Sequence, residues 1–289
     1  MSQLPNTQTP KERPAVLPTT TDIDSLMTLF REFMFPMVYG IRQSSSTSPA
    51  EGNGAGMPGL TAEIEAKLRQ LAQQVLLVTT QADEQEAASH ADVIVQGLFE
   101  QLSDIRQLLL SDVEAVALND PAASSSVEVI CCYPAITAML HHRIAHALHK
   151  LGLPLLPRII SERAHSITGI DIHPAAQIGA SFGIDHGTGI VIGATTIIGH
   201  HVMLYQGVTL GARNFLHDAD GRLLNEPRHP IIEDHVTIYS NTSVLGRIRV
   251  GHHSVIGGNL WITHDVAPQS QIRQSSPVRH TLFIDGAGI

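Results

Sequence analysis

Asp171-Ile172-His173-Pro174-Ala175-Ala176-Gln177-Ile178-Gly179-Ala180-Ser181-Phe182-Gly183-Ile184 carries an isoleucine at every sixth position. The spacing continues through Ile190, Thr196, Val202 and Val208, with Thr196 the one non-aliphatic member. After a gap it resumes at Ile232, Ile238, Val244, Val250, Ile256 and Ile262. An α-helix repeats near 3.6 residues and a strand at 2, so neither explains this period. Hexapeptide periodicity marks a parallel β-helix. Each unit makes one flat side of a triangular prism, and three units make a coil of about 18 residues. The sixth-residue aliphatic points inward and stacks on its counterpart one coil away. Composition agrees: apolar residues are 43% of the chain but aromatics only 4%, so small branched side chains must fill a thin core.

The gap from Gly211 to Pro230 lacks the period and holds Asp218, Asp220, Gly221, Asn225 and Pro227, which reads as a long exposed loop. Long loops thrown from a rigid scaffold often carry function. After Pro268 the period stops, leaving a tail over 269–289. Residues 61–166 read as a helical domain. Thr61, Ile64, Leu68, Leu71 and Val75 form one apolar stripe, and Val93 to Leu118 another, interrupted near Ser103. Asn119-Asp120-Pro121 breaks that pattern, and Tyr133 to Leu151 starts again before Gly152 and Pro154. Residues 1–60 read as a disordered or linker extension with one short helix over Asp22–Met37. The expected fold is therefore α+β, a helical domain followed by a parallel β-helix over 167–268 with its loop at 211–230.

The formal charge is −9, from 18 Lys+Arg against 27 Asp+Glu, which argues against a nucleic-acid partner. No stretch is long and apolar enough for a membrane span, and no basic run precedes an apolar core at the N-terminus. The two cysteines, Cys131 and Cys132, are adjacent and unsuited to pair with each other, which suits a reducing cytoplasm.

His186 is the first candidate for chemistry, because an imidazole titrates near neutrality and can take a proton from a hydroxyl. Asp171 lies fifteen residues earlier, close to one coil, and could stand beside it as the orienting carboxylate. Arg228-His229 stands where the long loop re-enters the prism, and an arginine there suits a carboxylate ligand. His235 and His253 are eighteen apart and should stack on successive coils as a solvated ladder. No third histidine completes a metal set, and none is expected. His142, His146 and His149 share a helix face without an acidic metal-protease pattern, so packing or a polar face is expected.

Asp171-Ile172-His173-Pro174, Ile184-Asp185-His186-Gly187-Thr188-Gly189, Gln206-Gly207-Val208-Thr209-Leu210-Gly211 and Arg228-His229-Pro230 together resemble the serine O-acetyltransferase family. Asp120-Pro121-Ala122 and Tyr133-Pro134 with His142-Arg143-Ile144-Ala145-His146 look like its helical region. The resemblance spans about residues 119 to 266 and implies a left-handed coil. It implies acetyl transfer from acetyl-CoA to the L-serine hydroxyl, the first committed step toward cysteine. By that likeness His186 is the base and Asp171 its orienter. Asp120, Asp185, Arg228 and His229 hold serine, and Ala212, Ser240 and Gly258 line the acetyl-CoA groove. It further implies a homotrimer or a dimer of trimers, and a C-terminal Ile289 that docks into O-acetylserine sulfhydrylase. The chain departs from the family in its longer loop, in Ala212 where glycine is usual, and in the segment before Thr61. Hexapeptide repeats also serve other acyltransferases and γ-class carbonic anhydrases, so another acceptor or a metal-dependent hydratase remain alternatives.

Overall fold

The computed structural model describes residues 17–40, 58–214, 218, 220–221, 224 and 226–274. Seven helices precede fourteen short strands among these residues. The first helix, α1 (Thr20–Met34), opens on a capping box in which the Thr19 hydroxyl accepts from the Asp22 amide while the Asp22 carboxylate accepts from Thr19. Phe35 ends it and α2 (Pro36–Tyr39) follows, so the expected Asp22–Met37 helix is two pieces broken just before Pro36. Ile23, Leu26 and Phe30 are fully buried, and α1 is tied down by the Lys67–Asp22 and Arg163–Asp24 ion pairs. It is thus part of the helical layer.

Two long helices follow: α3 (Pro58–Thr79) and α4 (Glu84–Asn119), the latter with its own capping box on Asp83. The interruption expected near Ser103 is absent: α4 runs unbroken for 36 residues. Its buried face through Leu98, Leu102, Ile105 and Leu109 keeps the helical phase across that point, and Ser103 simply faces solvent. After α5 (Ser126–Cys132), α6 (Pro134–Lys150) is buried over most of its length between α4 and α7 (Leu156–Thr168). Among the described residues no helix is long and apolar enough to cross a membrane.

The strands wind into a three-sided solenoid with every pairing parallel. The first face stacks β1 (Asp171–Ile172), β4 (Val191–Ile192), β7 (Thr209–Gly211), β10 (Ser243–Leu245) and β13 (Trp261–Ile262). The second stacks β2 (Gln177–Ile178), β5 (Ile197–Ile198), β8 (Ile231–Ile232) and β11 (Arg249–Val250). The third stacks β3 (Gly183–Asp185), β6 (Met203–Tyr205), β9 (Thr237–Ile238), β12 (Val255–Ile256) and β14 (Gln271–Ile272). Burial alternates along each turn, so Ile172, Ile184, Ile192, Leu204, Ile238 and Val244 fill the prism axis. Each such side chain contributes roughly 1.5–3 kcal/mol by leaving water.

The register corrects the simple phase. Ile172 pairs with Ile192, twenty residues on, whereas Ile192 pairs with Leu210 at eighteen. Every hexapeptide turns two side chains inward, at positions such as Ile190 and Ile192. The unbroken six-residue count slides from one of these positions to the other across a two-residue insertion. That insertion lies in residues 186–190, between β3 and β4, where the next coil has only 206–208. The repeat also runs past Pro268: Val266 bridges Val250 and Ile272 pairs with Ile256, both at sixteen residues, so the shortened last coil escapes a strict count.

The open end of the first coil is closed by the helices. Asp112 on α4 and Arg143 on α6 form a buried ion pair, with Arg143 Nη2 3.0 Å from Asp112 Oδ1. Arg143 also donates to the carbonyls of Ile178 (2.5 Å) and Gly179 (2.7 Å). The Phe182 amide donates to Asp112, the Ser181 amide to the Ser111 hydroxyl, and His146 Nδ1 to the Pro174 carbonyl. Edge groups that lack a preceding coil find partners here. His142, a turn before His146, is fully buried by the same contact, which pushes its pKa well down.

Candidate active site

The corner joining the third face to the first carries His186, and the two inserted residues enlarge it. His186 stands at φ 57° and is 73% exposed, with Nε2 3.9 Å from the Asp185 carboxylate. The corner lies against the start of β1: the Gly189 amide donates to the Gly169 carbonyl, and the Asp171 amide to that of Ile190. Gly187 is required, because a Cβ there would lie 2.5 Å from Ile170 at φ +89°. Asp171 therefore shares this corner with His186, but no hydrogen bond or ion pair joins the two side chains in the single chain.

Asp120 reaches the same corner from the end of α4. Its carboxylate accepts from the Tyr133 hydroxyl at 2.5 Å and from the Ala122 amide at 2.8 Å. Those bonds hold its pKa below the ordinary value, the Tyr133 bond most, with His186 near enough to add to the effect. Tyr133 is in turn pushed up to about 12, chiefly by that hydrogen bond. Tyr205, stacked on Tyr239 at 4.7 Å, feels both Asp185 and Asp120. The sequence reading passed over Tyr133 and Tyr205 as site residues; the Tyr133-Pro134 helix start was the signal available for the first.

Arg228 and His229 lie elsewhere, at the corner joining the first face to the second, from which the loop springs. Thr195 organises them: its hydroxyl accepts the amides of Arg228 (2.9 Å) and His229 (3.1 Å). The Thr195 amide donates to His229 Nδ1 at 3.1 Å, so Nδ1 accepts and Nε2 carries the proton. The ring occupies the space where a Cβ on Gly193 would stand. Arg247 donates to the carbonyls of Thr195 and His229. Nε and Nη1 of Arg228 are buried with no hydrogen-bond partner among the described residues.

Burial, then Arg228 and Arg247, brings His229 down to about 4. Burial, then Arg158, His149, His229 and Arg228, brings His173 on the preceding coil down to about 4 as well. Both rings are neutral at pH 7. Unfolding returns them to about 6.5, so below that pH the unfolded chain takes up protons that the folded chain refuses. Their share of stability is complete above pH 6.5 and drains away as pH falls toward 4. A melting temperature that drops across this window is expected, with a shallower drop for His173→Gln. A flat profile in the parent chain would sink this account.

Ser240 and Gly258 stack above Gln206 on the His186 corner, and a Cβ on Gly258 would meet the Ser240 carbonyl at 3.0 Å. Ala212 sits across the first face, at the loop corner. The predicted residues thus form two groups a prism face apart: Asp120, Asp171, Asp185, His186, Ser240 and Gly258 at one corner, Ala212, Arg228 and His229 at the other. At the remaining corner His235 and His253 stack at 4.5 Å, as expected, and His201 adds a third ring at 4.8 Å. The loop insertion had hidden His201 from the count. The rings lie face to face, and among the described residues no three metal-binding side chains converge. Ile289 lies outside the described residues.

No family model matches the chain. A plasmid serine acetyltransferase of Synechococcus elongatus is 51% identical over 218 residues, covering 75% of this chain and 68% of that protein. A serine acetyltransferase of Mycobacterium tuberculosis is 42% identical over 161 residues, 56% of this chain and 67% of its own length. Among solved structures, Entamoeba histolytica serine acetyltransferase isoform 3 in complex with cysteine superposes with TM-score 0.70 at 31% identity, over 94% of this chain and 87% of that one. Serine acetyltransferase 1 of the same organism, in complex with L-cysteine, gives 0.69 at 34% identity over 91% and 90%. With the helical layer and the solenoid matched across that span, the chain belongs to the serine acetyltransferase family.

Proposed function

We propose that this chain transfers the acetyl group of acetyl-CoA to the hydroxyl of L-serine, with His186 as general base. The observation that carries this is the enlarged corner, where an exposed imidazole stands near the carboxylates of Asp185 and Asp120, against the strand that Asp171 opens. His186 takes the hydroxyl proton as the serine oxygen attacks the thioester carbonyl, then returns it to the departing CoA thiolate. Asp171 orients the imidazole and stabilises its charged form. Asp120 and Asp185 meet the serine ammonium. Arg228, whose Nε and Nη1 lack partners, and His229, a neutral Nε2–H donor, take the carboxylate. Ala212, Ser240 and Gly258 line the path of acetyl-CoA.

The two groups stand at opposite edges of one prism face, so a complete site needs the corner of a neighbouring copy. A homotrimer built through the solenoids meets that requirement, and two trimers joined through the helical layers would make a hexamer. Exposed free Cys131 and Cys132 suit a reducing cytoplasm. The C-terminal Ile289 is proposed to dock into O-acetylserine sulfhydrylase; deleting it and measuring binding tests that point alone.

Thiol release from acetyl-CoA that depends on L-serine is the expected result. Release at the same rate without serine, or with a different hydroxyl acceptor favoured, overturns the reading. Tyr133→Phe removes the hydrogen bond that contributes most to lowering the Asp120 pKa. It should raise KM for L-serine roughly three- to ten-fold, the effect of one hydrogen bond worth about 1 kcal/mol. The acid limb of the pH–kcat/KM profile should move upward. A profile that matches the parent enzyme in both respects removes Tyr133 from the site.

A further inference from the structure

We propose that His173 is a further residue of the amino-acid subsite, its Nε2–H serving beside that of His229 as a second neutral donor to the serine carboxylate. This role rests on the serine reading above and adds one residue to its acceptor side. His173 follows the buried Ile172 at the end of β1 and is half-buried, on the outer side of the first face. Its amide donates to the Ile192 carbonyl at 3.0 Å, which carries the β1–β4 register one residue further, so Gly193 is its counterpart on the next coil. Side chains in register on parallel strands point the same way, about 4.8 Å apart. Gly193 has no side chain to place there, and the His229 ring fills the space its Cβ would take. The loop thus gives the second coil the imidazole that the first coil carries in its own strand.

The two rings are held alike. His173 Nδ1 accepts from the Ala175 amide at 3.0 Å, two residues on. His229 Nδ1 accepts from the Thr195 amide at 3.1 Å, two residues beyond Gly193. A neutral imidazole that accepts at Nδ1 carries its proton on Nε2, and neither Nε2 has a hydrogen-bond partner among the described residues. Burial, with Arg158 of α7 and His149 of α6 next in effect, keeps His173 uncharged at pH 7, and His229 and Arg228 act in the same direction. Arg158 is itself paired with Glu162. An ionised carboxylate accepts several hydrogen bonds on two oxygens. Arg228, with Nε and Nη1 partnerless, and His229 leave room for one more donor, and the neighbouring rung of the same corner carries it.

Amide side chains separate the two uses of the ring. His173→Gln puts an N–H near the place of Nε2, whereas His173→Asn puts an acceptor near the place of Nδ1 and keeps only the bond to Ala175. In serine-dependent thiol release, His173→Ala should raise KM for L-serine about ten-fold or more, the loss of one hydrogen bond to a charged group. The effect should fall on KM more than on kcat, with KM for acetyl-CoA as the internal control. His173→Gln should recover most of the serine affinity and His173→Asn little of it. With L-serinamide, which lacks the carboxylate, parent and His173→Ala should give the same KM. Calorimetric titration of L-serine should rank the variants in the same order without turnover, and melting curves check that each folds. His173→Asn outperforming His173→Gln, or a serine affinity within two-fold of the parent in a folded His173→Ala, overturns the donor role. A parent that binds L-serine but releases no thiol overturns acetyl transfer alone, and the calorimetric order still decides His173. A parent that binds no L-serine overturns both.

Discussion

His186→Ala is expected to lower kcat by about 10²–10⁴ in serine-dependent thiol release, the usual contribution of a positioned general base. The side chain is 73% exposed, so its loss should leave the melting temperature nearly unchanged. That separation matters: a drop in rate accompanied by unfolding would say nothing about proton transfer. Asp171→Asn provides the companion measurement. If Asp171 orients the imidazole, this variant loses a large part of the same factor, and His186→Ala adds little on top of it, because the two act as a unit. If Asp171→Asn keeps the parent rate while His186→Ala does not, the base works without that carboxylate and Asp185 becomes the orienting group to test. Unchanged turnover in His186→Ala would remove the proposed mechanism altogether.

The second large effect concerns the joint between helices and solenoid. Asp112→Ala strands Arg143 as a buried cation and leaves the Phe182 amide without its acceptor. Breaking a buried pair on one side costs about 3–5 kcal/mol, against a typical total stability of about 5–15 kcal/mol. Chemical denaturation should therefore show Asp112→Ala severely destabilised, and Arg143→Ala likewise, because it also frees the carbonyls of Ile178 and Gly179. A double Asp112→Leu, Arg143→Met variant should recover part of the loss by removing both charges together. Stability of Asp112→Ala within about 1 kcal/mol of the parent would mean that apolar packing between the layers, rather than this pair, holds the first coil in place.

The solenoid was legible because its contacts are periodic. Residues one coil apart are separated by nearly constant numbers, so the stacking of His235 on His253 followed from spacing alone. Legibility failed wherever a coil departed from eighteen residues. The two extra residues beside His186 shifted the inward position without breaking the count, since two positions per hexapeptide face the core. The loop took His201 out of the eighteen-residue count, although it stands in the stack, and the short fifth coil hid β14. In the helical part, Ser103 suggested an interruption that packing overrides. The site residues themselves came from recurring motifs, with no geometric derivation behind them.

From sequence alone came the prism, the helical domain before it, the loop, and the identity of the polar residues that decorate the corners, because each depends on local order along the chain. The tertiary structure decided which corner each residue occupies. It placed Asp120 and Tyr133 against the His186 corner, gathered Arg228 and His229 around Thr195 at the opposite edge, and set Arg143 of α6 on Asp112 of α4 beneath the first coil. These contacts join segments whose separation in sequence carries no period. They exist because buried charges and unpaired backbone groups at the end of a solenoid must find partners, and only the packing of one layer on another determines where those partners stand.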